Sequence, residues 1–334
     1  MKALVYNGPK KMVFKNVPEP EAGPSEVKVR IDAVGICGSD MHAYLGHDER
    51  RPAPLILGHE AAGVIESGLK TGQRVVVNPL VSCAECLVCI SGRPNLCSKR
   101  EIISMPPRPG AFAEKLVIPE RNLIAIPDHL DISLAALAEP LATSWHAVVS
   151  AGKNLSRPIG ESNALVIGGG AVGLGAALVL RSFGCSAITL AETNPLRRKT
   201  AENAGFDKVI NPAGSAPIID DSCDLVIDAV GNKPTRKMAV KSIRPGGVIV
   251  HIGLSDGEDG LDARKLTLQE ISLIGSYTYT PNDFQATVNA MANGSLGALN
   301  WTEHRTLKEG PQAFQDLLAG KLGAAKVVLV SDNA

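Results

Sequence analysis

The chain has 334 residues, 45% hydrophobic and only 4% aromatic, and its 34 Lys and Arg balance 34 Asp and Glu to a formal net charge of zero. Such a length exceeds what one hydrophobic core usually organises and predicts two domains, while zero net charge leaves no basic footprint for nucleic acid or an acidic membrane surface. No run approaches the roughly 18 apolar residues of a membrane span, and no N-terminal stretch combines a basic start, an apolar core and a small-residue cleavage site, so a soluble cytoplasmic protein acting on a small molecule is expected.

Residues 1 to about 135 read as short strands between turns, at 3–6, 26–31, 61–65 and 74–77. Their alternation and Gly/Pro spacing indicate a β-rich, partly barrel-like domain. Within it, Gly35-Ile36-Cys37-Gly38-Ser39-Asp40 and Gly58-His59-Glu60 offer a thiolate, an imidazole and a carboxylate that could hold a metal with an open position. Next, Cys83, Cys86, Cys89 and Cys97 give C-x2-C-x2-C-x7-C, which can surround a tetrahedral Zn²⁺ with four thiolates and leave it closed. Two disulfides are the other use of such a cluster, but they belong to secreted chains. Cys185 and Cys223 have no ligand-spaced neighbours and read as small buried hydrophobes.

From Ala164 the rhythm changes to apolar strands separated by helix-length segments, at 164–167, 187–191, 208–210, 224–228 and 247–252, as a parallel α/β sheet requires. The first runs straight into Gly168-Gly169-Gly170-Ala171-Val172-Gly173, a G-x-G-x-x-G opening a helix, which is a dinucleotide fingerprint. Gly168 makes the tight turn, Gly170 lets the pyrophosphate approach, Gly173 lets helix and strand pack, and Val172 is grouped with them. Glu192, 19 residues after Gly173, ends the second strand where a carboxylate binds the adenosine ribose hydroxyls and favours NAD over NADP. Arg197 and Arg198 follow it and read as solvated helix charges. After about residue 282 the pattern shortens, and 324–330 reads as a strand returning to the first domain.

Residues 35–42, 57–60, 72–75, 92–97 and 139–142 and the glycine fingerprint stand in the order found in zinc-containing medium-chain dehydrogenases of the sorbitol and polyol type. The chain resembles that family over essentially its whole length. The resemblance implies an α/β protein with a GroES-like β-rich catalytic domain (1–143), a Rossmann domain with a doubly wound parallel sheet (144–281), and a return to the catalytic domain (282–334). It also implies a site between the domains, one catalytic and one structural Zn²⁺, NAD, and a homodimer or homotetramer.

Cys37 and His59 are the expected ligands of the catalytic zinc. The third is left open between Glu60 and Glu139, the latter standing where alcohol dehydrogenases proper carry a second cysteine. Asp40 is expected to accept the ring N–H of His59, and Ser39 with His42 to pass the alcohol proton outward. His47, His129, His146, His251 and His304 read as structural. The resemblance further places Thr143 beside the nicotinamide and Lys326 near the pyrophosphate, and puts Thr278 where sorbitol dehydrogenases carry an arginine. Sugar alcohols or sugar acids are the leading substrates. A threonine-type amino alcohol, or a zinc- and nucleotide-binding module without turnover, remains the alternative.

Overall fold

The computed structural model describes residues 1–214 and 218–331. The first segment forms β1 (Lys2–Tyr6), β2 (Met12–Asn16), β3 (Glu26–Gly35), α1 (Gly38–Tyr44), β4 (Leu55–Ile56), β5 (Glu60–Ile65), β6 (Arg74–Val77), β7 (Leu80–Val81), α2 (Leu87–Ile90), β8 (Glu101–Ile102), β9 (Lys115–Pro119) and β10 (Leu123–Ala125). Then come α3 (Ile132–Ala135), α4 (Ala138–Gly152), β11 (Asn163–Ile167), α5 (Ala171–Ser182), β12 (Ala187–Ala191), α6 (Pro195–Asn203), β13 (Val209–Ile210), β14 (Cys223–Asp228), α7 (Lys233–Ser242), β15 (Ile243–His251), α8 (Ala263–Leu268) and β16 (Ser272–Gly275). The chain ends with α9 (Pro281–Ala292), β17 (Thr302–Thr306), α10 (Gly310–Leu318) and β18 (Lys326–Val330).

In the catalytic domain β3 is the spine. Its first half alternates, burying Val27, Val29 and Ile31 while Arg30 faces water, and its second half, from Asp32 to Gly35, is buried throughout. Alternation suits a sheet with one wet face, and continuous burial suits a strand covered on both. β5 and β9 pair antiparallel with β3, as does β18, which lies between β3 and β17. The expected C-terminal return therefore forms, and it brings Lys326 close to the end of β3.

The middle of the chain builds a parallel sheet in the order β13-β12-β11-β14-β15-β16. Numbered within the sheet this is 3-2-1-4-5-6, the doubly wound order in which ligands lie outside the carboxyl ends at the reversal between the first and fourth strands. β11 and β14 flank that crevice. Branched and apolar residues explain the central strands, since Leu165, Val166, Leu225, Val226 and Ile227 are each fully buried, a burial worth about 1.5–3 kcal/mol for a side chain of this kind.

The divisions expected at 143/144 and 281/282 both fall inside helices, α4 and α9. Phe284, Val288 and Met291 of α9 belong to the same core as Leu141 and Val148 of α4 and Leu174 and Leu178 of α5. The chain re-enters the catalytic sheet only at β17.

Candidate active site

A cleft of about 840 Å³ runs between the two parts, lined by Cys37, His59 and Glu139 on one side and by Gly168, Gly170 and Glu192 on the other. Cys37 precedes α1, and the register Gly35↔Glu60 between β3 and β5 brings the His59-Glu60 pair beside it. A sulfur of Cys37, a ring nitrogen of His59 and a carboxylate oxygen of Glu60 lie within 4.8 Å of one another. Asp40 is fully buried beneath them. Its Oδ2 accepts the Cys37 N–H at 2.9 Å and its Oδ1 the Gly58 N–H at 3.2 Å, so it stitches the two ligand-bearing loops together. Oδ1 stands 3.7 Å from His59 Nδ1, longer than the direct bond expected there. Burial favours a neutral Asp40, but the charges of His59 and Arg51 and the Cys37 N–H outweigh it and hold the carboxyl below its usual range.

Glu60 and Glu139 are not equivalent. Glu60 belongs to the tight donor group, with Oε1 bound to Lys326 Nζ at 2.6 Å and Oε2 buried without a hydrogen-bond partner among the described residues. Glu139, on the first turn of α4, stands outside that group, and its Oε1 accepts the Tyr279 phenol at 2.8 Å. Burial pushes the Glu139 carboxyl up to about 7, with Glu60 adding to the effect. Lys326 lines the same cleft. Its Nζ is buried between Glu60 and the carbonyl of Ile36, at 2.9 Å, because β18 is an inner strand that points it at the metal end of the cleft. Ser39, His42, Thr143 and Thr278 line the cleft.

The four-cysteine lobe passes a geometric test. Its sulfurs are 3.5 Å apart for Cys86 and Cys89 and for Cys83 and Cys97, and 3.9 Å apart for Cys83 and Cys89 and for Cys86 and Cys97. A zinc–sulfur bond of ~2.3 Å implies a tetrahedral edge of about 3.8 Å, inside that range, whereas a disulfide needs about 2.05 Å. The lobe fits zinc. Backbone N–H groups of Glu85 and Cys86 pull the Cys83 thiol down to about 6, while burial and the neighbouring sulfurs of Cys86, Cys97 and Cys83 push the Cys89 thiol up to about 11, so only part of the cluster is poised as thiolate without a metal.

The nucleotide end is equally specific. Gly168 has φ +104°, a left-handed conformation that glycine tolerates, and a Cβ on Gly173 would run into the Gly168 carbonyl. Gly170 has nothing within 4 Å of its missing Cβ, a cradle that suits a pyrophosphate at the start of α5. Glu192 lines the same end, its Oε2 accepting Gly169 N–H and its Oε1 Asn194 N–H, each at 2.7 Å. The two arginines are not free surface charges. Arg197 lines the cleft with Nε buried and unpartnered among the described residues, and Arg198 donates to the carbonyls of Glu192 and Thr193.

These features agree with what similar proteins show. Residues 23–128 match the alcohol dehydrogenase GroES-like domain and residues 171–293 the zinc-binding dehydrogenase family. L-galactonate-5-dehydrogenase of Escherichia coli is 35% identical over 91% of this chain and 91% of its own. The chain belongs to the zinc-containing medium-chain dehydrogenases of the polyol type. Sorbitol dehydrogenase of Bacillus subtilis is 30% identical over 98% of this chain and 97% of its own. The solved structure of acetophenone reductase from Geotrichum candidum in complex with NAD superposes with a TM-score of 0.88 at 26% identity, covering 98% of this chain and 96% of that one. This dehydrogenase is thus a zinc-dependent oxidoreductase, and none of its described helices is long and apolar enough to cross a membrane.

Several residues that line or support the cleft escaped the sequence, among them Arg50, Arg51, Tyr279, Asn95 and His251. Tyr279 is 140 residues from Glu139, and Asn95, whose Nδ2 donates to the Tyr277 carbonyl at 2.9 Å, is 182 residues from its partner. No local pattern announces such pairs. His251 could have been found, because it ends an apolar parallel strand at the edge where ligands bind; it lines the cleft with Nε2 3.9 Å from Asp228.

Proposed function

We propose that this dehydrogenase oxidises a secondary hydroxyl of a sugar alcohol or sugar acid to the ketone, transferring hydride to NAD and releasing one proton. The reading rests on one observation: the Cys37, His59 and Glu60 donor group and the Gly168–Gly173 turn open into a single cleft. Cys37, His59 and Glu60 hold the catalytic zinc, and Cys83, Cys86, Cys89 and Cys97 the structural one. When bound, the zinc supplies Lewis acidity that lowers the pKa of the substrate hydroxyl, and NAD supplies the hydride acceptor. Ser39 takes the hydroxyl proton and His42 carries it toward solvent. Glu139 keeps one oxygen tied to Tyr279 and offers the other to a substrate hydroxyl. Lys326 neutralises Glu60 and holds its carboxylate between β3 and β18, a pairing that leaves no unpaired buried charge. Glu192 receives the adenosine ribose hydroxyls and disfavours a 2′-phosphate, Arg197 lies beside it, Gly168, Gly170, Val172 and Gly173 carry the pyrophosphate, and Thr143 flanks the nicotinamide.

The named relatives, which include L-idonate 5-dehydrogenase of Vitis vinifera, support the substrate class. Seven free thiols suit a reducing cytoplasm, and a homodimer or homotetramer follows the family resemblance. Zinc-loaded enzyme offered NAD with sorbitol, L-idonate, L-galactonate or L-threonine tests the reading through NADH absorbance. Oxidation of a polyol or aldonate, lost on metal removal, is expected. Turnover of threonine alone, or equal turnover by metal-free protein, overturns it.

A further inference from the structure

We propose that Arg50 is a carboxylate clamp in the cleft, and that the substrate is therefore a sugar acid rather than a neutral polyol. This rests on the function proposed above and narrows it. Arg50 and Arg51 both line the cleft, on the loop that follows α1. One acid serves both. Asp48 accepts Arg50 Nε at 2.8 Å and Nη2 at 3.0 Å, and Arg51 Nη1 at 2.5 Å. Two guanidinium groups against one carboxylate leave one positive charge on this wall.

The two arginines divide the work. The Arg51 side chain is 3% exposed, and its Nε is spent on the Ser104 carbonyl at 3.1 Å, so it is a structural partner of Asp48. The Arg50 side chain is 67% exposed, and its Nη1 makes no hydrogen bond among the described residues. Fixed on one edge by two bonds to Asp48, the planar fork presents its other edge already oriented, as a carboxylate requires. No acid that lines the cleft is paired with Arg50 among the described residues. Glu60 is engaged by Lys326, Glu139 by Tyr279, and Glu192 by the backbone of Gly169 and Asn194; Glu49, the other acid on the loop, does not line the cleft. The wall belongs to the reacting end, since Arg50 and Arg51 line the same cleft as Cys37, His59 and Glu139. A polyol has no use for an uncompensated charge there, whereas an aldonate gains a charge-assisted pair.

Steady-state oxidation of L-galactonate and of the matched neutral galactitol, by wild type, Arg50→Gln and Arg50→Lys, tests the clamp. The wild type is expected to favour the aldonate. Arg50→Gln should lower the aldonate-to-alditol ratio of kcat/KM by about tenfold to a hundredfold, the range of a charge-assisted hydrogen bond. The fall should lie mostly in KM, and Arg50→Lys should restore part of it. Calorimetric titration of L-galactonate into the enzyme–NADH complex should show the same loss in Kd, and NADH binding by each variant reports that it is folded. Equal wild-type use of both substrates, or a ratio unmoved by Arg50→Gln, overturns the clamp while leaving the polyol reading intact. So does a loss that appears only in affinity for NAD. Oxidation of neither compound while sorbitol is oxidised overturns the clamp alone, and oxidation of none of galactonate, galactitol, sorbitol and L-idonate by zinc-loaded enzyme overturns both.

Discussion

The two clusters proposed to bind metal in this dehydrogenase are built on opposite plans. The lobe at Cys83–Cys97 draws four like ligands from one short stretch, with a partly exposed surface and sulfurs already spaced for a closed tetrahedron. The cluster at Cys37, His59 and Glu60 draws unlike ligands from separate segments and buries its imidazole and carboxylate, the latter already held by a lysine from the far end of the chain. Local, uniform thiolates make a staple that holds a metal and excludes everything else. Distant, mixed ligands in a buried cleft leave room for substrate, and they require the whole fold to stand.

The sharpest way to break this contrast is to remove one ligand from each cluster. Cys37→Ser should cost on the order of 10³-fold in kcat, because several kcal/mol of Lewis-acid stabilisation are lost, and metal analysis should find one zinc remaining per chain. A variant with normal activity, or one that loses both zinc ions, contradicts the division of labour. Cys97→Ser acts on the other side. It opens the staple and should lower Tm by on the order of 10 °C, since a structural zinc contributes folding energy directly. Calorimetry with metal analysis checks whether the catalytic zinc survives in the fraction that still folds.

Two smaller changes sharpen the comparison. Tyr279→Phe removes one hydrogen bond to a buried carboxylate, worth roughly 1.5–3 kcal/mol, and should lower kcat at least tenfold with zinc content unchanged. A loss confined to Tm would make Tyr279 a packing residue only. Asn95→Ala cuts the link from the four-cysteine lobe to the Tyr277 carbonyl. It should raise substrate KM by about threefold to tenfold, one neutral hydrogen bond's worth, while both zinc ions stay bound; an unchanged KM would mean the lobe does not support the cleft.

What the sequence revealed follows the same contrast. The four-cysteine spacing and the glycine turn are local patterns, and each appears where it was read; the strands read at 3–6, 26–31, 61–65 and 74–77 appear too, but only the first half of β3 alternates, β1, β5 and β6 being buried almost throughout. Five strands of the parallel sheet and the return of the last strand were legible because apolar runs recur at strand length; the sixth, β16, was not. Three-dimensional convergence was not. Lys326 meets Glu60, 266 residues away, because β18 inserts between β3 and β17, a contact no local pattern announces. The choice between Glu60 and Glu139 depends on the Gly35↔Glu60 register and on the Tyr279 phenol, neither of which has a sequence signature. Arg197 looked like helix surface, and only the fold turns it into the cleft.

α4 carries Glu139 at its first turn and Thr143 at its next, and the Ser144 hydroxyl stands within donating distance of the Val172 carbonyl of the glycine turn, at 2.8 Å, with the Pro140 carbonyl at 3.0 Å sharing its one proton. The helix continues to Gly152 inside the core it shares with α5 and α9. An engineer who trades coenzyme modules between relatives therefore cannot cut at residue 143. A crossover there would join half a helix from one parent to half from another, and would separate the carboxylate from the turn it is bolted to. Splicing ahead of Leu137 and after Ala292 transfers one intact cassette, in which coenzyme choice and the Glu139 carboxylate are inherited together.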